Sequence, residues 1–76
     1  MLKHDHELDA SGLNCPLPLL RLKKALMGMQ SGEIVRVLAT DPAAHLDIGV
    51  YSDQTGNRIL EFFEDNGTQH FLIQKK

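Results

Sequence analysis

Leu19, Leu22, Leu26 and Met29, flanked by Leu20 and Met27, recur at intervals of three and four and predict an amphipathic helix over 17–30. Arg21, Lys24 and Gly28 fall on its opposite side, while Lys23 projects near the apolar stripe with its stem free to lie along it. Ser31-Gly32 supplies the stop. Residues 33–40 are β-branched and largely apolar, a strand buried on at least one face. Ahead of the helix, residues 4–9 form a short polar strand in which Leu8, followed by Ala10, offers little to a core, as suits a sheet edge. Strand, helix, strand in that order predicts a right-handed parallel crossover.

The second half carries its own punctuation. Asp41-Pro42 opens a helical turn after the second strand, and Asp47 starts the main helix over about 48–55, closed by Gly56 and weakened by Gly49. Residues 57–64 and 68–75 alternate around Asp65-Asn66-Gly67, which reads as a hairpin. Phe71 and Ile73 point to the core, opposite His70, Leu72 and Gln74; the inner pair of the preceding strand is either Leu60 and Phe62 or Ile59 and Phe63. Phe62-Phe63 puts one aromatic on each face, one of them at a possible interaction surface. The predicted fold is α/β, a two-layer βαβαββ sandwich spanning 1–76 as one domain. Its four-stranded mixed sheet has the order 1-2-4-3, which leaves the two more polar strands at the edges, and both helices lie on one face.

Composition narrows the chemistry. Seventy-six residues allow one modest core, and a single cysteine excludes an intrachain disulfide, so packing must hold the fold. A net charge of −2 argues against stable nucleic-acid binding through a basic surface. The polar start of the chain and the lack of a long apolar run predict a cytoplasmic protein with no membrane association. His4 and His6 share a strand face without a third ligand in view, and no metal or cofactor is expected.

The reactive candidate is Cys15, in Gly12-Leu13-Asn14-Cys15-Pro16-Leu17-Pro18. Proline favours the first helical position, which makes Cys15 the N-cap, with Pro16 at N1 and Pro18 at N3. A thiol there sits at the positive end of the helix dipole, facing the Leu17 N–H, and is expected to ionise more easily than an ordinary thiol. The alternative is a buried core cysteine, which the stiff prolines argue against. Gly12, free to take a positive φ, completes the loop. A disulfide oxidoreductase would want a second thiol nearby. A cysteine hydrolase would want an oriented histidine base, and His45, on the same sheet edge as Cys15, is the best of four.

Leu8-Asp9-Ala10, Gly12-Leu13, Cys15-Pro16-x-Pro18, Lys24-Ala25 and Met29-x-x-Gly32-Glu33 resemble the TusA/SirA-like sulfur-carrier family, as do Asp41-Pro42-Ala43, Asp47-Ile48 and Thr55-Gly56-Asn57. The resemblance runs in order over nearly the whole chain, and C-P-x-P is its most specific part. It implies the two-layer fold and a sulfurtransferase-type carrier in which Cys15 takes sulfane sulfur as a persulfide. The donor would be a cysteine desulfurase or rhodanese-type protein, and a downstream acceptor protein would serve tRNA thiolation, cofactor synthesis or sulfur metabolism. On this reading Gly12, Pro16 and Pro18 position the thiol, and Leu13 and Leu17 form an apolar rim. Arg21 and Lys24 steer acidic partners from the same helix end, and Asp41 joins them on the same sheet edge. Leu17 stands where the family commonly has an acidic residue, which bears on partner identity. The competing class is a non-catalytic protein- or RNA-binding regulatory module in which Cys15 is structural or redox-sensing; a third is a domain working beside a peroxiredoxin, a rhodanese or a membrane sulfur importer.

Overall fold

Val35, Val37 and Ala39 alternate along one face of the second strand and are buried, opposite Ile73, Phe71 and Gln69 of the last strand. This central antiparallel pair carries the core in a computed structural model that describes residues 3–76. The elements are β1 (His6–Ala10), α1 (Leu17–Met27), β2 (Ile34–Ala39), α2 (Ala44–Thr55), β3 (Arg58–Asp65) and β4 (Thr68–Gln74). The sheet order is β1-β2-β4-β3, with β1 and β2 parallel and the other pairs antiparallel, as the polar edges predict. Leu22, Leu26 and Met29 from the α1 segment and Ala44 and Ile48 from α2 close over Val35, Val37, Phe71 and Ile73. Burying each of the large side chains contributes about 1.5–3 kcal/mol, the main force holding a chain without a staple.

Four local expectations give way to packing. β1 begins at His6 rather than residue 4, because the Asp5 carboxylate takes the Ile34 N–H at 2.9 Å in place of a ladder carbonyl. α1 ends at Met27 rather than Gln30. Gly28 and Met29 donate to Ala25 and Leu26 carbonyls in tighter three-residue turns, which swing Met29 inward to a buried position. Lys75 Nζ then takes the Leu26 carbonyl at 2.9 Å. The predicted turn is present at Pro42–Ala43, but α2 follows it directly from Ala44, four residues earlier than the predicted start at 48. The Asp41 side chain makes this possible by accepting the Ala43 N–H at 2.9 Å.

The fourth concerns the phase of β3. A register shift between Ile59 and Glu61 leaves Leu60 as the extra residue. Alternation therefore slips by one, and the inner residues are Ile59 and Phe62, opposite Ile73 and Phe71, a combination that neither strict alternation offered. Phe63 turns outward and stacks on His70, centroids 4.4 Å apart. Both phenylalanines remain partly exposed. The hairpin turns as predicted, with Asn66 at φ 51° and Gly67 at φ 80°. Tyr51 packs against the core, and Lys23 places its Nζ 5.4 Å from the centre of the Tyr51 ring. No helix among the described residues is long and apolar enough to cross a membrane.

Candidate functional site

Two strand-to-helix loops meet at the end of the parallel pair: the one after β1 carries Cys15, and the one after β2 carries Asp41. Ligand-handling loops gather at this edge of α/β sheets. Gly12, at φ 80°, turns the first loop so that its N–H donates to Thr40 Oγ1 at 2.8 Å. The Leu13 N–H donates to the Ala10 carbonyl at 3.2 Å. Asp41 then ties the loops together. One carboxylate oxygen accepts the Ala43 N–H at the mouth of α2, and the other accepts the Cys15 N–H. These two donors hold the Asp41 carboxyl below the usual carboxylate range, against a small opposing effect of desolvation.

Cys15 is exposed, so the core-cysteine alternative is excluded. Its sulfur is not at a helix N-cap, however. α1 starts at Leu17 with Pro16 as the cap residue and Pro18 in the first turn, one position later than proline preference predicts. The Cys15–Pro16 peptide bond is cis. The Leu17 N–H, expected to face the sulfur, donates instead to the Asn14 carbonyl at 2.8 Å. The thiol itself donates to Asp47 Oδ2 at 2.7 Å.

That bond reverses the expected electrostatics. The Asp47 hydrogen bond pushes the Cys15 thiol above its ordinary range, helped by desolvation and by the negative charges of Asp47 and Asp41. Two nearby carboxylates outweigh a helix end that starts two residues further on. The contact favours the neutral thiol over the thiolate at an accessible sulfur.

The other predicted site residues fall in three places. Pro16 and Leu17 are exposed beside the thiol and Leu13 is half-buried, whereas Pro18 is fully buried and anchors the turn to the core. Arg21 lies exposed along the middle of α1. Lys24 lies in the last turn of α1, so the expectation that it shares the thiol's helix end is corrected: its position complements the carboxyl end of the helix dipole. His45 packs its ring 6.2 Å from that of Phe62, and the hydrogen-bond partner of Cys15 is a carboxylate rather than an imidazole. His6 pairs with Glu33 at 3.0 Å.

Asp47 is the residue that sequence reasoning missed as a site. Read as the start of a helix, it looks like a capping carboxylate. Once α2 begins at Ala44, Asp47 falls between the buried Ala44 and Ile48 on the inward stripe. A carboxylate on an otherwise apolar helix face was the available signal.

The family model for sulfurtransferase TusA matches residues 6–75. The chain belongs to the TusA family. A sulfur carrier protein TusA from Allochromatium vinosum is 53% identical over 75 residues, covering 99% of each chain. One of the same name from Pseudomonas entomophila is 40% identical over 75 residues, 99% of this chain and 94% of that one. The crystal structure of a SirA-like protein from Desulfitobacterium hafniense superposes with a TM-score of 0.81 at 29% identity, over 92% of this chain and 96% of that chain. The TusA-family fold is therefore the α/β sandwich described above.

Proposed function

We propose that this protein is a cytoplasmic sulfur carrier that holds sulfane sulfur as a persulfide on Cys15. The observation that carries the reading is an exposed sulfur at the meeting of two loops, with the Asp47 carboxylate 2.7 Å away to take its proton. The relatives named sulfur carrier protein TusA support the same role.

In the loading step the Cys15 proton moves toward Asp47 and the sulfur attacks the terminal sulfur of a donor persulfide. The donor S–S bond breaks as the new one forms on Cys15, and the donor leaves as a thiolate that regains a proton. Donor–S–SH and Cys15–SH become donor–SH and Cys15–S–SH, with no net oxidation. Attack depends on access to both sulfurs and on the fraction ionised. A small carrier needs no deep pocket, since the donor (of the cysteine desulfurase or rhodanese type) and the acceptor protein build the rest of the site around it. Gly12, Pro16 and the buried Pro18 hold the turn, Leu13 and Leu17 form an apolar rim, Arg21 and Lys24 extend a basic helix face, and Asp41 fixes the backbone of Cys15.

Intact-mass measurement after incubation with a cysteine desulfurase and cysteine, and separately with a rhodanese and thiosulfate, tests this. One added sulfur on the wild type, none on Cys15→Ser and loss of the adduct on reduction are expected. An adduct that survives Cys15→Ser, or none from any donor, rejects the carrier reading. The raised thiol, being the less nucleophilic form, favours one rival, a non-catalytic protein- or RNA-binding module in which Cys15 does no thiol chemistry. In that case Cys15→Ser would leave biological activity intact.

A further inference from the structure

Beside the thiol loops, residues at the start of α2 and on the β3–β4 hairpin line a groove of about 320 Å³. Its lining is Pro42, His45 of α2, Phe62 and Glu64 of β3, and Gln69 of β4. The groove adjoins the Cys15 site through Asp41, whose carbonyl accepts the Gln69 Nε2–H at 2.9 Å while its carboxylate holds the Cys15 N–H.

Three features of this groove call for the same occupant. Gln69 is only 3% exposed, and its Oε1 is buried with no hydrogen-bond partner. The orientation of the amide follows from chemistry, because a carbonyl can pair only with the NH2 end, so the oxygen is the free end. A buried acceptor without a donor is destabilising, and an incoming N–H would relieve that. Glu64, cross-strand from Gln69, is exposed and has no ion-pair partner among the described residues. Phe62, 46% exposed, stands at the rim, and a donor reaching the buried Oε1 requires a groove side chain to move aside. An acceptor, a carboxylate and an aromatic face together suit a planar cation with several donors. Arginine fits better than lysine, since its guanidinium can stack on the ring while bonding to two acceptors at once.

We infer that the groove formed by Pro42, His45, Phe62, Glu64 and Gln69 binds an arginine side chain of a partner protein docking at the Cys15 edge. The charge around the thiol agrees with a basic partner, as Asp41 and Asp47 lie on the same edge. The inference rests on the carrier reading only for its purpose, and its test uses no sulfur source, so the two fail separately.

The test is a heteronuclear NMR titration of the full chain with N-acetyl-arginine methylamide, and with its lysine and citrulline counterparts. Saturable shifts are expected at Phe62, Glu64 and the Gln69 side-chain amide, with arginine bound more tightly than lysine. Citrulline, which keeps the shape and loses the charge, should bind about tenfold more weakly, as should arginine to Glu64→Gln. Equal responses to arginine and citrulline, shifts centred elsewhere, or no saturable shift with the wild type would overturn the inference. Because the citrulline comparison uses unaltered protein, it stands whatever Glu64→Gln does to folding.

Discussion

Cys15 Sγ and Asp47 Oδ2, separated by 32 residues in sequence, lie 2.7 Å apart with the thiol as donor. The pair joins the entry turn of α1 to the first turn of α2, and it favours the protonated form of the only cysteine in the chain. A thiol kept protonated at rest is shielded from adventitious oxidation, since the thiolate is the reactive form. Under the proposed function, a carboxylate in contact offers a place for the proton when a donor persulfide arrives.

Replacing Asp47 tests that pairing directly. Asp47→Asn removes both the strongest acceptor of the thiol proton and a negative charge, so the Cys15 thiol should ionise at lower pH. The pH profile of iodoacetamide alkylation is expected to move down and the rate at neutral pH to rise. An unmoved profile would show that Asp47 does not hold the proton. The linkage has a definite sign: a thiol raised on folding adds stability below its ordinary ionisation range, and this is lost as pH rises through the raised value.

Asp41 works in the opposite direction. Its carboxyl is held low by the Ala43 and Cys15 N–H groups, so its stabilising effect is complete above the ordinary carboxylate value and disappears as pH falls through the lowered one. Thermal melts of the wild type from about pH 6 to about pH 2 should show an acid limb that is flatter in Asp41→Asn. The variant should also melt several degrees lower at neutral pH, having lost the charged acceptor of the Ala43 N–H in the turn ahead of α2 and the tether on Cys15.

Gly49 lies inside α2, and a Cβ built there meets nothing within 4 Å. Gly49→Ala is therefore expected to stabilise the fold by about 0.5–1 kcal/mol through reduced backbone entropy in the unfolded chain. Chemical denaturation with an unchanged slope and a higher midpoint would verify it.

Phe71 sits at the centre of the core, only 1% exposed and 5.0 Å from Phe62 in ring centroids. Phe71→Ala should cost about 3–5 kcal/mol, a large share of the ~5–15 kcal/mol typical of small domains. Phe71→Leu, which keeps much of the volume, should remain folded with a smaller loss. Both are read from denaturation midpoints.

Much of this architecture is legible along the chain because its causes are local. The spacing of Leu19, Leu22, Leu26 and Met29, the alternation through Val35 and Val37, and the Asn66-Gly67 turn each need only neighbouring residues. Strand handedness and the polarity of the edges then lead to the sheet order, and the prolines around Cys15 predict an exposed thiol on a turn. Three features were decided by the tertiary structure alone. The bulge at Leu60 put Ile59 and Phe62 on one face because a single extra residue inverts alternation. Burial of Met29 cut α1 short. Asp47 reached Cys15 only because α2 starts at Ala44 and packs beside the α1 entry turn, and that contact raised a thiol that local helix electrostatics alone would have lowered. Periodicity is a property of consecutive residues, whereas the charge felt by a sulfur depends on what the fold brings within a few ångströms of it.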